Sequence, residues 1–284
     1  MVKIITGLFF LNTILQSNME FCKTLFRTEG IHNAHPHLSK DGERILYQSN
    51  ATGKWQLMVF NQLTNTHAEL TNNHFNNFDA DWSENNEWVS FVSDRDGNEE
   101  LYLMKSNGTE LKRVTNEKAR DVNPYFSPDS KYILFNSTRG NGSFDIYRYT
   151  IKTAAIDRVT NTKENETCAR YSPDMKKIVY LKNDEKTDDV FVLNTLTNQS
   201  ENITNTPDEA DSWPMYNKTG EWIYFSSVKN GAQCVFKMKP NGSNVTQITY
   251  PSDDVEENAR VFISQDEKTM LFNKKVGKTL EIWG

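Results

Sequence analysis

The sequence predicts an all-β fold, a six-bladed β-propeller of four-stranded antiparallel blades. Three observations predict it. One unit recurs about every 45 residues along the 284-residue chain. Each copy holds four short strand-like runs separated by turn chemistry, which at this period is the pattern of a propeller blade. The two ends of the chain supply complementary parts of one incomplete copy.

The clearest copy reads Asn123-Pro124-Tyr125-Phe126-Ser127-Pro128-Asp129, then an apolar run from Tyr132 to Phe135, a polar loop, Asp145-Ile146-Tyr147 and Arg158-Val159-Thr160-Asn161. With Ser127 as anchor, the equivalent positions are Ser39, Ser83, Ser172, Asn217 and Ser264, at spacings of 44, 44, 45, 45 and 47 residues. In the second copy the expected strands are Asp79 to Trp82, Glu87 to Val92, Glu100 to Lys105 and Glu110 to Thr115. The last hairpin turns on Asn107-Gly108, and Asn241-Gly242 repeats it; this pair supplies the positive φ angles that a tight hairpin needs. The sixth copy stops after its third run, while Lys23 to Thr28 resemble the missing fourth. Pairing the termini inside one blade closes the ring and leaves no open sheet edge. Arg27 stands where the other copies carry Leu, Val or Ile.

Ahead of that closing strand, Met1-Val2-Lys3 and the apolar stretch Ile4 to Leu15 have the short basic start and apolar core of a secretory signal peptide, expected over residues 1–17. The apolar stretch is too short to span a bilayer. The alternative is an apolar segment packed on the propeller. Residues 18–284 then form one propeller domain, periplasmic or secreted and not embedded in a membrane. A formal charge of −6 argues against a nucleic-acid partner. Cys22, Cys168 and Cys234 lie in three different copies without metal-ligand spacing and read as small buried hydrophobes. Trp82, Phe126, Tyr171 and Tyr216 each precede their anchor by one residue and read as packing between blades.

Topology locates candidate sites. In an up-and-down blade, the loop between strands two and three shares a face, here the front, with the connection to the next blade. The Ser-Pro-Asp and Asn-Gly turns lie on the opposite face. Six residues before each anchor, at the front, stand Asn33, Asn77, Asp121, Glu166, Asp211 and Asn258. They are expected to ring the channel mouth as an acidic and amide funnel for a cation, a Lys or Arg side chain or a sugar hydroxyl; alternatively each hydrogen-bonds the turn into its own strand. Four before the anchor, His35, Asp79, Asn123 and Cys168 are joined by Trp213 and Arg260, making one sector of the mouth aromatic and basic. The front loops add Arg95 and Arg139 as rim residues able to contact a carboxylate, or as ordinary solvated turns.

In His35-Pro36-His37 two imidazoles sit two apart, and Asp79 and Asp81 occupy the matching positions of the next blade. Such a set fits a divalent metal such as Zn²⁺ or Mn²⁺. It fits equally a pair of hydrogen-bonded His-Asp contacts, since Tyr125 and Met215 fill the His37 position elsewhere.

The Ser-Pro-Asp motif, the loop Ser93-Asp94-Arg95-Asp96-Gly97-Asn98, the run Leu101 to Gly108 and the closing Arg113-Val114-Thr115 resemble the TolB-type propeller repeat, over about residues 21 to 284. The repeat is also similar to those of prolyl-oligopeptidase relatives and oligogalacturonate lyases. There is no Gly-x-Ser-x-Gly elbow and no His-Glu-x-x-His motif. The resulting expectation is a protein- or peptide-binding scaffold without a cofactor. A flexible partner segment, with a basic one as the charge match, enters the front funnel against Asp121, Glu166 and Asp211 beside Trp213. The alternatives are a polysaccharide lyase using one divalent metal at His35, His37, Asp79 and Asp81, as the lyase resemblance implies, and glycan recognition without chemistry.

Overall fold

The computed structural model describes residues 24–26, 30–183, 187–206, 208–229, 231–250, 257–264, 268–276 and 279–283. It contains six four-stranded antiparallel blades. The first strand, β1 (Thr24–Phe26), belongs to the last blade. Blade 1 follows as β2 (Asn33–Leu38), β3 (Arg44–Ser49), β4 (Gln56–Asn61) and β5 (Thr66–Glu69), and blade 2 as β6 (Asn77–Trp82), β7 (Trp88–Ser93), β8 (Glu100–Lys105) and β9 (Lys112–Arg113). Blade 3 is β10 (Asp121–Phe126), β11 (Tyr132–Ser137), β12 (Asp145–Thr150) and β13 (Ala155–Arg158); blade 4 is β14 (Glu166–Tyr171), β15 (Lys177–Asn183), β16 (Asp188–Asn194) and β17 (Ser200–Asn202). Blade 5 comprises β18 (Asp211–Tyr216), β19 (Ile223–Lys229), β20 (Ala232–Met238) and β21 (Thr246–Gln247), and blade 6 comprises β22 (Glu257–Ile263), β23 (Met270–Val276) and β24 (Thr279–Trp283) with β1.

The ring closes as the sequence predicts: β1 pairs antiparallel with β24, Thr24 opposite Trp283 and Phe26 opposite Ile282. Residues 1–17 of the expected signal peptide, Cys22 and Arg27 lie outside the described residues. Among the described residues no helix is long and apolar enough to cross a membrane.

The anchor works identically around the ring. Its side-chain oxygen accepts a hydrogen bond from the backbone N–H five residues on, in Ser39–Arg44, Ser83–Trp88, Ser127–Tyr132, Ser172–Lys177, Asn217–Trp222 and Ser264–Thr269, at 2.9–3.0 Å. The hydroxyls of Ser39, Ser127 and Ser172 also donate to the Asp two residues later. This pins each turn between the first and second strands.

The fourth strands are shorter than expected. In blade 2 the ladder stops at Arg113 because Thr115 turns inward, where its Oγ1 accepts from the Leu101 N–H at 3.0 Å and donates to Glu100. Arg113 reaches the same Glu100 carboxylate at 3.1 Å, and Arg158 reaches Asp145 at 2.6 Å. The recurring Arg-Val-Thr is thus a lock between the outermost strand and the start of the third.

The core is divided among the blade contacts. One cluster of buried apolar residues lies at each of the six interfaces; Leu46, Leu57, Phe91 and Tyr102 belong to the cluster between blades 1 and 2, and Val190, Val192, Phe225 and Phe236 to that between blades 4 and 5. A fully buried side chain of this kind contributes about 1.5–3 kcal/mol. The innermost strands β2, β6, β10, β14, β18 and β22 are left to surround the axis.

Candidate functional site: the axial channel

Every innermost strand carries a bulge at the residue four before its anchor. His35, Asp79, Asn123, Cys168, Trp213 and Arg260 all have positive φ, between 50° and 56°. At each, the pairing with the second strand slips; His35 and Pro36 together face Tyr47, between the pairs Ala34–Gln48 and His37–Leu46. The other five blades show the same shift. The left-handed conformation costs an L-residue about 1–2 kcal/mol, and a bulge re-aims side chains. Six copies of it turn six side chains together and separate the channel into two layers.

In the first layer three of the other bulge residues, His35, Asp79 and Trp213, contact Arg260. Its Nη1 donates to His35 Nε2 at 2.7 Å and to Asp79 Oδ1 at 3.1 Å, and its Nη2 donates to the Tyr125 hydroxyl of the opposite blade at 3.2 Å. The guanidinium lies 4.2 Å from the Trp213 ring centroid. Asn123 Nδ2 donates to Asp79 Oδ2 at 3.0 Å, and His35 Nδ1 lies 2.9 Å from Asp79 Oδ1. Arg260 is 2% exposed, so this cation is buried, with both terminal nitrogens engaged and its Nε without an acceptor among the described residues.

Charges follow from the contacts. Burial, and then the Arg260 charge, lower the His35 pKa to about 4 against the pull of Asp79. Arginine can only donate, so neutral His35 accepts at Nε2 and carries its proton on Nδ1, which is close to Asp79 Oδ1 without being aligned for a hydrogen bond. Burial pushes the Asp79 carboxyl up, but Arg260 and His35 outweigh it and hold Asp79 well below the usual carboxylate range. Burial pushes the Cys168 thiol up to about 12, which removes it as a nucleophile.

The second layer comes from the residues two before each anchor: His37, Asp81, Tyr125, Arg170, Met215 and Phe262. His37 Nδ1 meets Asp81 Oδ1 at 2.9 Å, and its ring stacks on Tyr125 with centroids 6.0 Å apart. Burial lowers the His37 pKa. Asp81 Oδ2 accepts from the Phe126 N–H at 2.8 Å. The Arg170 guanidinium lies over Tyr125, 4.0 Å from the centroid, with Nη1 3.5 Å from Met215 Sδ.

This layer floors a funnel of about 220 Å³ that opens on the face of the Ser-Pro-Asp turns and takes lining residues from all six blades. Trp82, Phe126, Tyr171 and Tyr216 line its wall, so the residues read as packing are also its surface. A groove of about 420 Å³ between Lys40 and Lys218 shares lining residues with the funnel and extends it outward.

The front-ring residues occupy the expected end of each strand but face sideways. Asn33, Asn77, Asp121, Glu166 and Asp211 are at most 5% exposed. The bulge between them and the anchor reverses the alternation of the strand, which points them at the preceding blade instead of the axis. Asn77 donates to Gln56 at 3.2 Å. Burial raises the pKa values of Asp121 and Glu166, opposed by hydroxyls that include Thr115 and Thr160 of the preceding blade. Burial raises Asp211 to about 6, opposed by the hydroxyls of Thr204 and Ser227. The Asn258 side chain lies outside the described residues. Arg95 and Arg139 fold back on their own blades: Arg95 donates to Asn77 at 2.8 Å, and Arg139 to Asp121 at 2.6 Å.

The His-Asp set is divided between two layers. Among the described residues no three His, Cys, Asp or Glu side chains are placed to hold one metal ion. Arg260 lies within hydrogen-bond reach of both His35 and Asp79, so a cation already fills the position a metal would need, and the donor set does not fit one. Sequence reasoning missed Arg170 as a site residue; its recurrence at the His37 position was the available signal.

Comparison with known proteins gives a consistent picture. Residues 23–213 match the TolB β-propeller domain family. A TolB homolog from Chlorobium luteolum is 29% identical over 104 residues, which are 37% of this chain and 23% of that protein. The chain therefore matches less than a quarter of the length of that curated relative. The crystal structure of TolB from Acinetobacter baumannii superposes with a TM-score of 0.72 at 22% identity, covering 81% of this chain and 57% of the other. An oligogalacturonate lyase in complex with manganese superposes with a TM-score of 0.67 over 92% of both chains, at 11% identity. At these identities the two structures show a shared fold.

Proposed function

The chain belongs to the TolB β-propeller domain family, and from that premise we propose that it is a binding scaffold whose axial funnel receives a protein or peptide segment of a partner. The observation that carries the reading is a channel with one plugged end and one open end. At the open end a cavity of about 220 Å³ combines aromatic walls with polar and charged side chains that include Arg170, Lys40, Lys218, Asp81 and Glu84, the apolar surface and polar groups that a ligand site needs. That volume lies below the roughly 300–1,000 Å³ of a small-molecule pocket. It suits the tip of a chain continuing into the adjoining groove. The reading includes export to the periplasm or beyond, which rests on the signal-like start of the sequence.

The test is site-specific photo-crosslinking in the native cell, with benzoylphenylalanine at Tyr171 on the funnel wall or at Leu196 on an outer turn, where the side chain is 83% exposed. A discrete adduct from position 171 that is absent from position 196 is expected. Equal adducts from both positions, or none from the funnel, would sink the reading.

A further inference from the structure

Arg170 differs from the other described arginines. Arg44, Arg113, Arg120, Arg139, Arg148, Arg158 and Arg260 each meet a carboxylate, and Arg95 donates to Ser93 and Asn77 oxygens. Among the described residues Arg170 has no oxygen acceptor; its contacts are the Tyr125 ring and the Met215 sulfur. It lines the funnel at the level of the floor. A guanidinium packed over an aromatic ring without an oxygen acceptor keeps N–H donors that match a carboxylate with two parallel hydrogen bonds. Asp81, which also lines the funnel, does not neutralise it: one Asp81 oxygen faces His37 and the other accepts from the Phe126 N–H.

We propose that Arg170 is a carboxylate-recognising residue, and that the funnel and its groove bind an acidic peptide segment with one carboxylate on Arg170. The inference deepens the scaffold reading and rests on it. The remaining polar groups of the funnel favour a peptide over a sugar. Glycan binding needs many free donors and acceptors, but the Ser39, Ser83 and Ser127 hydroxyls already donate to Asp41, Asn85 and Asp129, and Lys40 pairs with Glu84 at 3.0 Å. Besides Asn217, Lys218 and Ser264, the lining next to Arg170 offers the apolar surface of Met215, Phe262 and Tyr216, which accommodates varied side chains. The binding chemistry is thus a carboxylate on Arg170 set beside apolar contacts.

Ligand-observed NMR at millimolar concentration tests this on the full chain with four probes: acetyl-Ala-Leu-Glu-Leu-Ala-amide, its Gln counterpart, the Gln peptide with a free C-terminal carboxylate, and digalacturonate. The Glu peptide is expected to bind about tenfold or more tighter than the blocked Gln peptide. Arg170→Met should abolish that preference and Arg170→Lys should retain part of it. Tighter binding of the free-carboxylate Gln peptide would assign the carboxylate to a chain terminus, within the same proposal. A second variant, Met215→Glu, places a carboxylate beside Arg170 and should block the Glu peptide even if Arg170→Met folds poorly. Equal binding of the blocked Glu, blocked Gln and free-carboxylate Gln peptides would overturn the carboxylate while leaving the scaffold reading in place. A Glu preference unchanged in Arg170→Met, preferential binding of digalacturonate, or no binding of any probe would overturn the proposal.

Discussion

Arg260 and Arg170 sit in adjacent layers of the same channel and show opposite uses of one side chain. Arg260 is buried against His35, Asp79 and Tyr125 and covered by Trp213. Arg170 is half-buried, and among the described residues its contacts are a ring and a thioether. Both touch Tyr125, one at its hydroxyl and one at its face. The Arg260 side chain, from the last blade, bridges residues of blades 1, 2 and 3 and lies against Trp213 of blade 5, whereas Arg170 has no oxygen acceptor among the described residues. Under the proposed function the channel is closed at the Arg260 layer and open to a partner at the Arg170 layer.

The largest effect that could break this comparison is on stability. Arg260→Met strands Asp79 as a buried, unpaired carboxylate, and removing one partner of a buried pair costs about 3–5 kcal/mol. Urea denaturation should show that loss in Arg260→Met, and a cost within about 1 kcal/mol in Arg170→Met, where a cation–π contact is the main loss.

The pH dependence sharpens the contrast between the axis and the blade interfaces. His35, lowered to about 4 by burial and Arg260, contributes stability that is present above its unfolded value of about 6.5 and lost as pH falls toward 4. Asp211, raised to about 6 by burial, has the opposite sign: its contribution is full below about 3.9 and lost as pH rises through 6. His35→Gln should flatten the acid limb of the stability curve. Asp211→Asn should stabilise the protein at pH 7–8 by about 1–3 kcal/mol and leave it little changed near pH 4. Urea midpoints across pH check both, and a midpoint rise for Asp211→Asn that is equal at every pH would remove burial of the charge as its cause.

A smaller effect tests the outer edge against the axis. Gly242 has φ of 79°, and a Cβ there would lie 2.3 Å from the Ile203 carbonyl oxygen. Gly242→Ala should cost more than about 1 kcal/mol without changing ligand binding in the funnel, as thermal unfolding and probe titration would show.

The fold was legible because its signal is repeated. Six anchors fixed the blade count, and the one strand at the N-terminus with the three-strand copy at the C-terminus fixed closure, which β1 and β24 show in their pairing. All six bulge positions were also identifiable as one set, and the His35–Asp79 and His37–Asp81 contacts were among the expectations. The bulge itself was not legible. Asn123, Asp79 and His35 are of the types that tolerate positive φ, but Cys168, Trp213 and Arg260 have no such preference, so no common local signal marks the extra residue. One inserted residue reverses which side chains face the axis. For that reason Asp121, Glu166 and Asp211 face neighbouring blades, while Arg170 and Met215 floor a funnel on the opposite face.

The most direct test of a plugged end and an open end is the reaction of arginines with phenylglyoxal in the native protein, mapped by mass spectrometry. The exposed Arg120 provides the reference. Arg170 should react at a rate comparable to Arg120, and Arg260 should stay unmodified until the protein unfolds. Modification of Arg260 as fast as Arg170, or protection of Arg170 in the unliganded protein, would contradict the account.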